Sequence, residues 1–575
     1  MATKAGAGRT EADRRARTSF WGKLVNRPEI GAFFVMIIVL AALGMASGGL
    51  TGGASWNPFD GTAYNPLGLR NNTRIVAQLG IIAIGACLLM IAGEFDLSIG
   101  SMIGFAGMSM ALMLKWGFAI RIPFTEITLV SFDYISPLMA VLLTLCMTLA
   151  FGFLIGNIVV RSKLPSFIVT LAFLFFIRGL TEVCYRFLNR APGERSGSTQ
   201  VSDLPDFKNL IDLEPYRDML GYAKAQASQL AQGCLSVFQR PLNNNLASAE
   251  QVQAFIGNTS AGSKLTDAQL AAIVERAGPG NDLTKDQIAE VVNQVCAVDP
   301  ASVPMVMDRA TAKALPDADL ASIFSTLSPE RVDGLRQALE SRALLDATRR
   351  AAAAGRDAPG QLPAIPDLQV AREHIESIST INPVANMFGG DIFEPVFDWL
   401  YRIGFNINPG GSQWVEGLYA VVGWWLAIAL VAWFVLERTK AGNWIYATGG
   451  NLQAARANGV PTDAVKISLF MVTAFCATIF AATQVFDTNS ADAAKGNLKE
   501  LEAIATAVVG GAILTGGFGS IVGVVFGAII FGLAQNALFY IPWLDGAYYR
   551  MFLGSILLAA ALLNENVRKR FTGGI

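Results

Sequence analysis

The sequence predicts an all-α polytopic membrane protein of about ten transmembrane helices, interrupted by an inserted helical domain. Three observations predict it. Hydrophobic residues make up 53% of the 575-residue chain and charged residues only 15%, whereas a soluble domain carries about 25% charged residues. Ten apolar runs have the length and composition of membrane segments, some of them short and glycine-interrupted as broken or re-entrant helices are. A polar stretch, 190–412, separates the first five runs from the last five. The 56 glycines suit helices that pack closely in a membrane.

Taken in order, residues 1–29 are polar and basic, with Arg14, Arg15, Arg17, Lys23 and Arg27. The first apolar run, 30–50, shows no cleavage pattern and reads as an uncleaved first helix. Further runs at 73–93, 98–116, 136–160 and 165–187 complete the first part of the membrane domain, 30–189. Runs at 415–436, 463–484, 502–517, 518–540 and 548–565 form the second part, 413–575. Short loops with Arg161 and Lys163, with Arg438, Lys440, Arg456 and Lys466, and with Arg568, Lys569 and Arg570 fall on one side, which the positive-inside rule makes cytoplasmic. Both termini are then expected in the cytoplasm, and 190–412 in the periplasm of an inner-membrane protein.

The net charge of -1 hides a partition. The 190–412 stretch holds 27 acidic and 19 basic residues, so the remainder is net positive. Such a split marks compartments, and it gives no nucleic-acid signature. The stretch repeats one pattern four times: LTDAQL from Leu265, LTKDQI from Leu283, LPDADL from Leu315 and LSPERV from Leu327. Thr266 with Gln269, and Thr284 with Gln287, fit capping boxes, and Pro329 stands at a favoured first helical position. The expectation is an all-α periplasmic domain of four or more short helices with a linker at 353–368. Cys234 and Cys296 lie in it; a disulfide and two buried thiols are both open readings. The single histidine, His374, reads as a surface residue. No phosphate-binding loop, metal-ligand spacing or catalytic constellation is present, so the chain itself is expected to hold no cofactor and no enzymatic activity.

Three segments carry function. In GEFDLSIGSMIGFAG, 93–107, Glu94 and Asp96 sit between two apolar runs, with Ser98 and Gly100 beside them. Acids there either face a translocation path or sit at a helix N-terminus, where the dipole favours them. In NWIYATGGNLQAARANGVPTDAVKI, 443–467, the residues Gly449, Gly450 and Asn451 are expected to turn, and Asn451 to cap a short helix ending at Gly459 and Pro461. This is either a docking element for a partner or an ordinary loop. In LEAIATAVVGGAILTGGFGSIVGVVFGAIIFG, 501–532, Gly516, Gly517 and Gly519 interrupt the run, and Gly519, Gly523 and Gly527 make a small-residue stripe.

These segments, with LPSFIVTLAFLFFIRGL at 164–180, resemble in order four motifs of the permease family of ribose-, xylose- and galactose-type ABC importers. The resemblance covers roughly 30–190 and 413–570. It implies alternating access powered by a separate ABC ATPase subunit that holds the ATP and magnesium, a periplasmic solute-binding protein, and a second permease subunit, as a homodimer. It implies a coupling helix at 448–460 built on Gly449, Gly450, Asn451, Ala454, Ala455, Arg456 and Gly459. It places Glu94, Asp96, Ser98, Gly100, Gly516 and Gly517 near the path or its gate, and makes Arg178 a membrane-embedded charge needing a partner. The chain departs from the family pattern at Glu94, where glycine is usual, at Glu502, where aspartate is usual, and in the whole 190–412 insertion. Glu94 is therefore expected to add a charge to the path. The contrasting class is a secondary transporter or channel that uses Glu94 and Asp96 as proton or cation sites.

Overall fold

A computed structural model describes residues 28–49, 66–121, 128–132, 135–188, 198–202, 210–217, 306–308, 315–353, 364–380, 382–391, 393–405 and 417–537, with isolated residues and short runs between and after them. Its contacts divide the chain into two compact units, one of residues 1–207 with 382–575, the other 208–381. The compact inserted unit thus falls within 190–412; the described residues at 198–202 and from 382 onward group with the membrane helices.

The membrane unit begins with α1 (Pro28–Gly49), α2 (Pro66–Ile91) and α3 (Ile99–Trp116). A hairpin of β1 (Phe118–Arg121) and β2 (Thr128–Phe132) follows, then α4 (Pro137–Ser162) and α5 (Ser166–Leu188). The Ser136 hydroxyl caps α4 by accepting from the Met139 amide at 3.4 Å, with Pro137 at the first helical position. Six described helices are long and apolar enough to cross a membrane: α2 from Gly68, α3, α4, α5 to Tyr185 and, after the insertion, the helices Ala420–Arg438 and Thr462–Thr488. The apolar run at 30–50 lies on α1, and the run at 548–565 falls almost wholly outside the described residues.

The inserted unit starts after β3 (Ser198–Gln200). It holds β4 (Leu210–Asp212), β5 (Val306–Asp308), α6 (Asp317–Thr326), α7 (Pro329–Ala353), α8 (Asp367–Ser377) and β6 (Ser379–Thr380). The strands form a small antiparallel sheet in the order β5-β4-β6, pairing Ile211 with Met307 and with Ser379. Apart from this small sheet, the described elements of the unit are helical, as the all-α expectation has it. Ile211 and Leu213 bring the sheet onto Leu320 and Ile323 of α6 and onto Ala371 and Ile375 of α8, in one buried cluster. Two of the four repeated patterns start helices as expected. Asp317 and Asp319 lie in the first turn of α6, and the Ser328 hydroxyl accepts from the Arg331 amide at 3.3 Å at the start of α7. The other two patterns, with Thr266, Gln269, Thr284 and Gln287, lie outside the described residues, as do Cys234 and Cys296.

His374 is not a surface residue. It is 8% exposed, Tyr216 Oη lies 2.8 Å from its Nε2, and its Nδ1 is buried without a partner. Burial, with the nearby positive charge of Arg331, pulls its pKa below the ordinary 6.5. The folded state then binds fewer protons than the unfolded chain once pH falls below about 6.5. Stability of this unit is expected to be complete above that value. It should decline below it by up to about 1.4 kcal/mol per pH unit. Hydrogen exchange in α8 of the full chain should quicken between pH 7 and 5 beyond the intrinsic rate change, and the His374→Gln variant should lose that excess.

The chain re-enters the membrane unit through α9 (Pro383–Gly389) and α10 (Glu394–Arg402), then α11 (Ala420–Arg438), α12 (Lys440–Gly450), α13 (Leu452–Ala457) and α14 (Thr462–Thr488). β7 (Ser490–Asp492) pairs antiparallel with β3. Here Arg70 of α2 pairs with Asp391 at 2.5 Å and Arg74 with Asp487 at 2.9 Å. Both guanidinium groups lie over the Tyr419 ring. α15 (Lys499–Val509) and α16 (Ile521–Ala537) complete the described helices.

The 502–517 run is not a single spanning helix. α15 has eleven residues and stops at Gly510, too short to cross a bilayer. Positive φ at Gly511, Gly516 and Gly517 turns the chain into α16. Part of the glycine stripe explains the close return: a Cβ at Gly523 would overlap the Gly510 carbonyl, and one at Gly527 the Thr506 carbonyl.

Candidate transport site and coupling junction

The site is built around the turn between α2 and α3. α2 ends at Ile91, and Gly93 in the turn beyond it has a φ of 83°, which suits glycine. The Gly93 and Glu94 amides close back onto the Met90 and Leu89 carbonyls at 2.9 and 3.1 Å. Asp96 follows, 6% exposed. Its Oδ1 accepts from the Ser98 amide at 2.8 Å and the Ser98 hydroxyl at 2.5 Å, and its Oδ2 from the Thr473 hydroxyl of α14 at 2.6 Å. The Phe95 amide donates to Ser166 Oγ at the start of α5, 3.0 Å away. The first turn of α3 is tied to mid-α5 by the Ser101 hydroxyl, which donates to the Leu174 carbonyl at 2.7 Å.

Asp96 therefore organises the entry to α3 rather than capping its first amides. A carboxylate with three short donors is well compensated for its burial. Glu94 differs from expectation. It forms an ion pair with Lys466 of α14, and both side chains are largely buried. Its charge is neutralised across 372 residues rather than added to an open path. Neither acid is a bare intramembrane carboxylate, which weakens the case for a proton- or cation-driven carrier.

Gly100 is required by a close approach. A Cβ there would overlap Glu500 Oε2 of α15 and the Gly496 carbonyl. Arg178 lies on α5, one turn beyond Leu174, with its Nε buried and without a hydrogen-bond partner. It acts electrostatically on Glu500, as do Glu502 and Asp96. Glu502 is itself paired with Lys499 at 2.5 Å.

Gly516 and Gly517 are not beside Asp96. With φ near 80°, they lie against Gly93 and against Gly449–Gly450 of α12. The Gly517 amide donates to the Ile91 carbonyl at 2.8 Å. Gly449 sits directly over that bond: a Cβ would overlap the Ile91 oxygen and come within 2.7 Å of the Gly517 nitrogen. The Tyr446 hydroxyl adds a bond to the Gly519 carbonyl at 2.8 Å. Two chain reversals, 91–93 and 516–517, thus meet the C-terminal end of α12 at one backbone-to-backbone junction.

Gly449 and Gly450 do not form a turn. They finish α12, and the break comes at Asn451, whose φ is -154°. Glycine in a helix costs about 1 kcal/mol, and the junction gives Gly449 its reason. Asn451 caps α13 as expected, its Oδ1 accepting from the Ala454 amide at 3.0 Å. α13 ends at Asn458, before Gly459 with φ 79°. Ala455 faces inward, whereas Gln453, Ala454, Arg456 and Ala457 are exposed. Arg456 binds Asp463 at 2.5 Å and the Thr462 hydroxyl at 2.9 Å, so it also closes the 457–462 turn.

Sequence reasoning missed Thr473, Ser166 and Glu500, and it used Lys466 and Glu502 in other ways. The charged run KELE at the head of an apolar segment was a usable signal for Glu500. Thr473, inside an apolar helix, gave none.

The family model for the branched-chain amino acid transport system permease component matches residues 69–232 and 374–561. Over 174 residues the chain is 32% identical to the ribose import permease protein RbsC of Escherichia coli K12, covering 30% of this chain and 50% of that protein. Over 176 residues it is 32% identical to the inner membrane ABC transporter permease protein YjfF of the same organism, covering 31% and 52%. The xylose transport system permease protein XylH, also of that organism, is 33% identical over 139 residues, 24% of this chain and 35% of XylH. The chain thus spans about half the length of the first two relatives. No solved structure matches.

Proposed function

Because this chain belongs to the family of branched-chain amino acid transport system permease components, we propose that it is the membrane-spanning subunit of an ABC importer for a monosaccharide. The single observation that carries the reading is the junction at Gly449. The exposed helix 452–457 stands on the same backbone contact that joins the 91–93 and 516–517 turns. A force on that helix reaches the Asp96 turn through three residues of chain. Docking of an ATPase on the exposed face of 452–457 then biases two arrangements of the membrane helices, which is alternating access. ATP and magnesium belong to that partner chain. A periplasmic solute-binding protein delivers the sugar, a second copy of this chain completes the pathway, and both termini and the 448–460 segment face the cytoplasm. The inserted unit lies in the periplasm on this reading and serves as a docking module for the binding protein or an envelope partner. The sugar is assigned because the relatives named for a solute are ribose and xylose permeases.

Gentle detergent purification from the native host should co-purify an ATPase with the unmodified chain. Arg456→Glu should reduce that co-purification about tenfold. It places two acids together at the exposed 456–463 pair, a local cost of no more than about 1 kcal/mol. The swap Arg456→Glu with Asp463→Arg restores the local pair but not the docking charge. Full ATPase recovery with the double swap would remove Arg456 from the interface, and absence of any ATPase from the unmodified chain would remove the importer reading itself.

A further inference from the structure

Around the first turn of α3, most buried charges are accounted for. Asp96 is held by three donors, Glu94 by Lys466 and Glu502 by Lys499. Glu500 and Arg178 are left. Glu500 is 6% exposed and its Oε2 is buried without a hydrogen-bond partner. Arg178 carries a buried Nε, also without one. Glu500 feels the charge of Arg178, yet the two do not close an ion pair. Both border the first turn of α3: Glu500 rests over Gly100, and Arg178 lies one turn beyond Leu174, whose carbonyl accepts from Ser101.

A buried carboxylate beside a part-buried guanidinium, with no hydrogen bond between them, loses most of the gain that would offset desolvation. Something polar must complete them. The guanidinium only donates and the carboxylate only accepts. The complementary group is one that does both, and a pair of adjacent hydroxyls does so: one donates to Glu500 while its neighbour accepts from Arg178. An anionic solute would meet Glu500 and Asp96, and a cationic one Arg178, so the site suits an uncharged solute.

We propose that Arg178 and Glu500 form a hydroxyl-recognising subsite for a neutral polyhydroxylated solute, on the path beside Asp96. The proposal rests on the importer reading above. No covalent step is involved. Gly100 is a positioning residue, since only glycine lets Glu500 reach this place.

The test uses the full chain with its native partners in cells, and measures maximal import of ribose, of xylose and of their monodeoxy analogues. Glu500→Gln keeps the shape and removes the charge, Arg178→Lys keeps the charge and removes the fork, and Arg178→Gln removes both. A hydrogen bond to a charged group is strong enough that Glu500→Gln and Arg178→Gln should each lower import of the full sugar about tenfold or more. One monodeoxy analogue, lacking the hydroxyl concerned, should fall by a clearly smaller factor. The double variant Glu500→Gln with Arg178→Gln should be no worse than the poorer single one, because both act on the same bound pair. Arg178→Lys should show the same selectivity with a smaller loss, and it tests the site even where the neutral variants assemble poorly. Equal losses for every solute, or wild-type rates in Arg178→Lys, would overturn the subsite while leaving the importer intact. If the unmodified chain imports none of these sugars, the sugar reading fails, and the subsite with it.

Discussion

Gly449→Ala is expected to reduce import at least tenfold while the chain still inserts into the membrane. The added methyl meets the Ile91 carbonyl oxygen and the Gly517 nitrogen, the two ends of a 2.8 Å hydrogen bond. Neither is the tip of a flexible side chain, so backbone must move. Overpacking of this kind costs about 1–3 kcal/mol. The cost falls at the contact proposed to carry motion from helix 452–457 to the Asp96 turn. Gly450 supplies the control, because a Cβ there meets nothing within 4 Å. Gly450→Ala should leave import unchanged and favour the helix by about 0.5–1 kcal/mol. Uptake assays on the two variants, with co-purified ATPase measured alongside, separate coupling from assembly. If Gly449→Ala imports as well as Gly450→Ala does, the junction has no role in transmission.

The second large effect is at Asp96. Asp96→Ala removes the acceptor of the Ser98 amide, the Ser98 hydroxyl and the Thr473 hydroxyl. A buried donor left without a partner costs about 1–3 kcal/mol. The Thr473 hydroxyl has the Phe470 carbonyl as a second partner at 2.8 Å, so the Ser98 groups bear most of the loss. We expect about 3 kcal/mol of destabilisation, a clear fall in the detergent-solubilised melting temperature, and loss of import. Asp96→Asn keeps one acceptor oxygen for Ser98 and should recover a large part of the stability. A protein in which alanine and asparagine are equally well tolerated would mean that the turn is held by its glycines and by Ser166 alone.

What the sequence determined by itself was whatever is encoded in short windows. The apolar runs announced the membrane helices, because a helix in lipid must satisfy its backbone internally and present apolar side chains. Asn451 and Gly459 marked the ends of helix 452–457, because a cap is a contact across three residues. Ser328 and Asp317 did the same for the two described helices that begin at repeated patterns. Four ordered motifs sufficed to place the family.

Tertiary structure decided the rest. The 502–517 run has the composition of a span, but a helix cannot continue through Gly511, Gly516 and Gly517 once packing against Gly93 and Gly449 holds two of them at positive φ. Glu94 reads as an exposed pathway acid until Lys466, 372 residues away, is brought beside it. His374 reads as a surface histidine until α8 folds onto Tyr216. The small sheet of the inserted unit goes unread in the sequence because strands of two or three residues carry too few positions for an alternating pattern. In each case the deciding energy is a contact between distant segments, either a buried charge finding its partner or two backbones meeting at glycine, and no local window contains both sides of it.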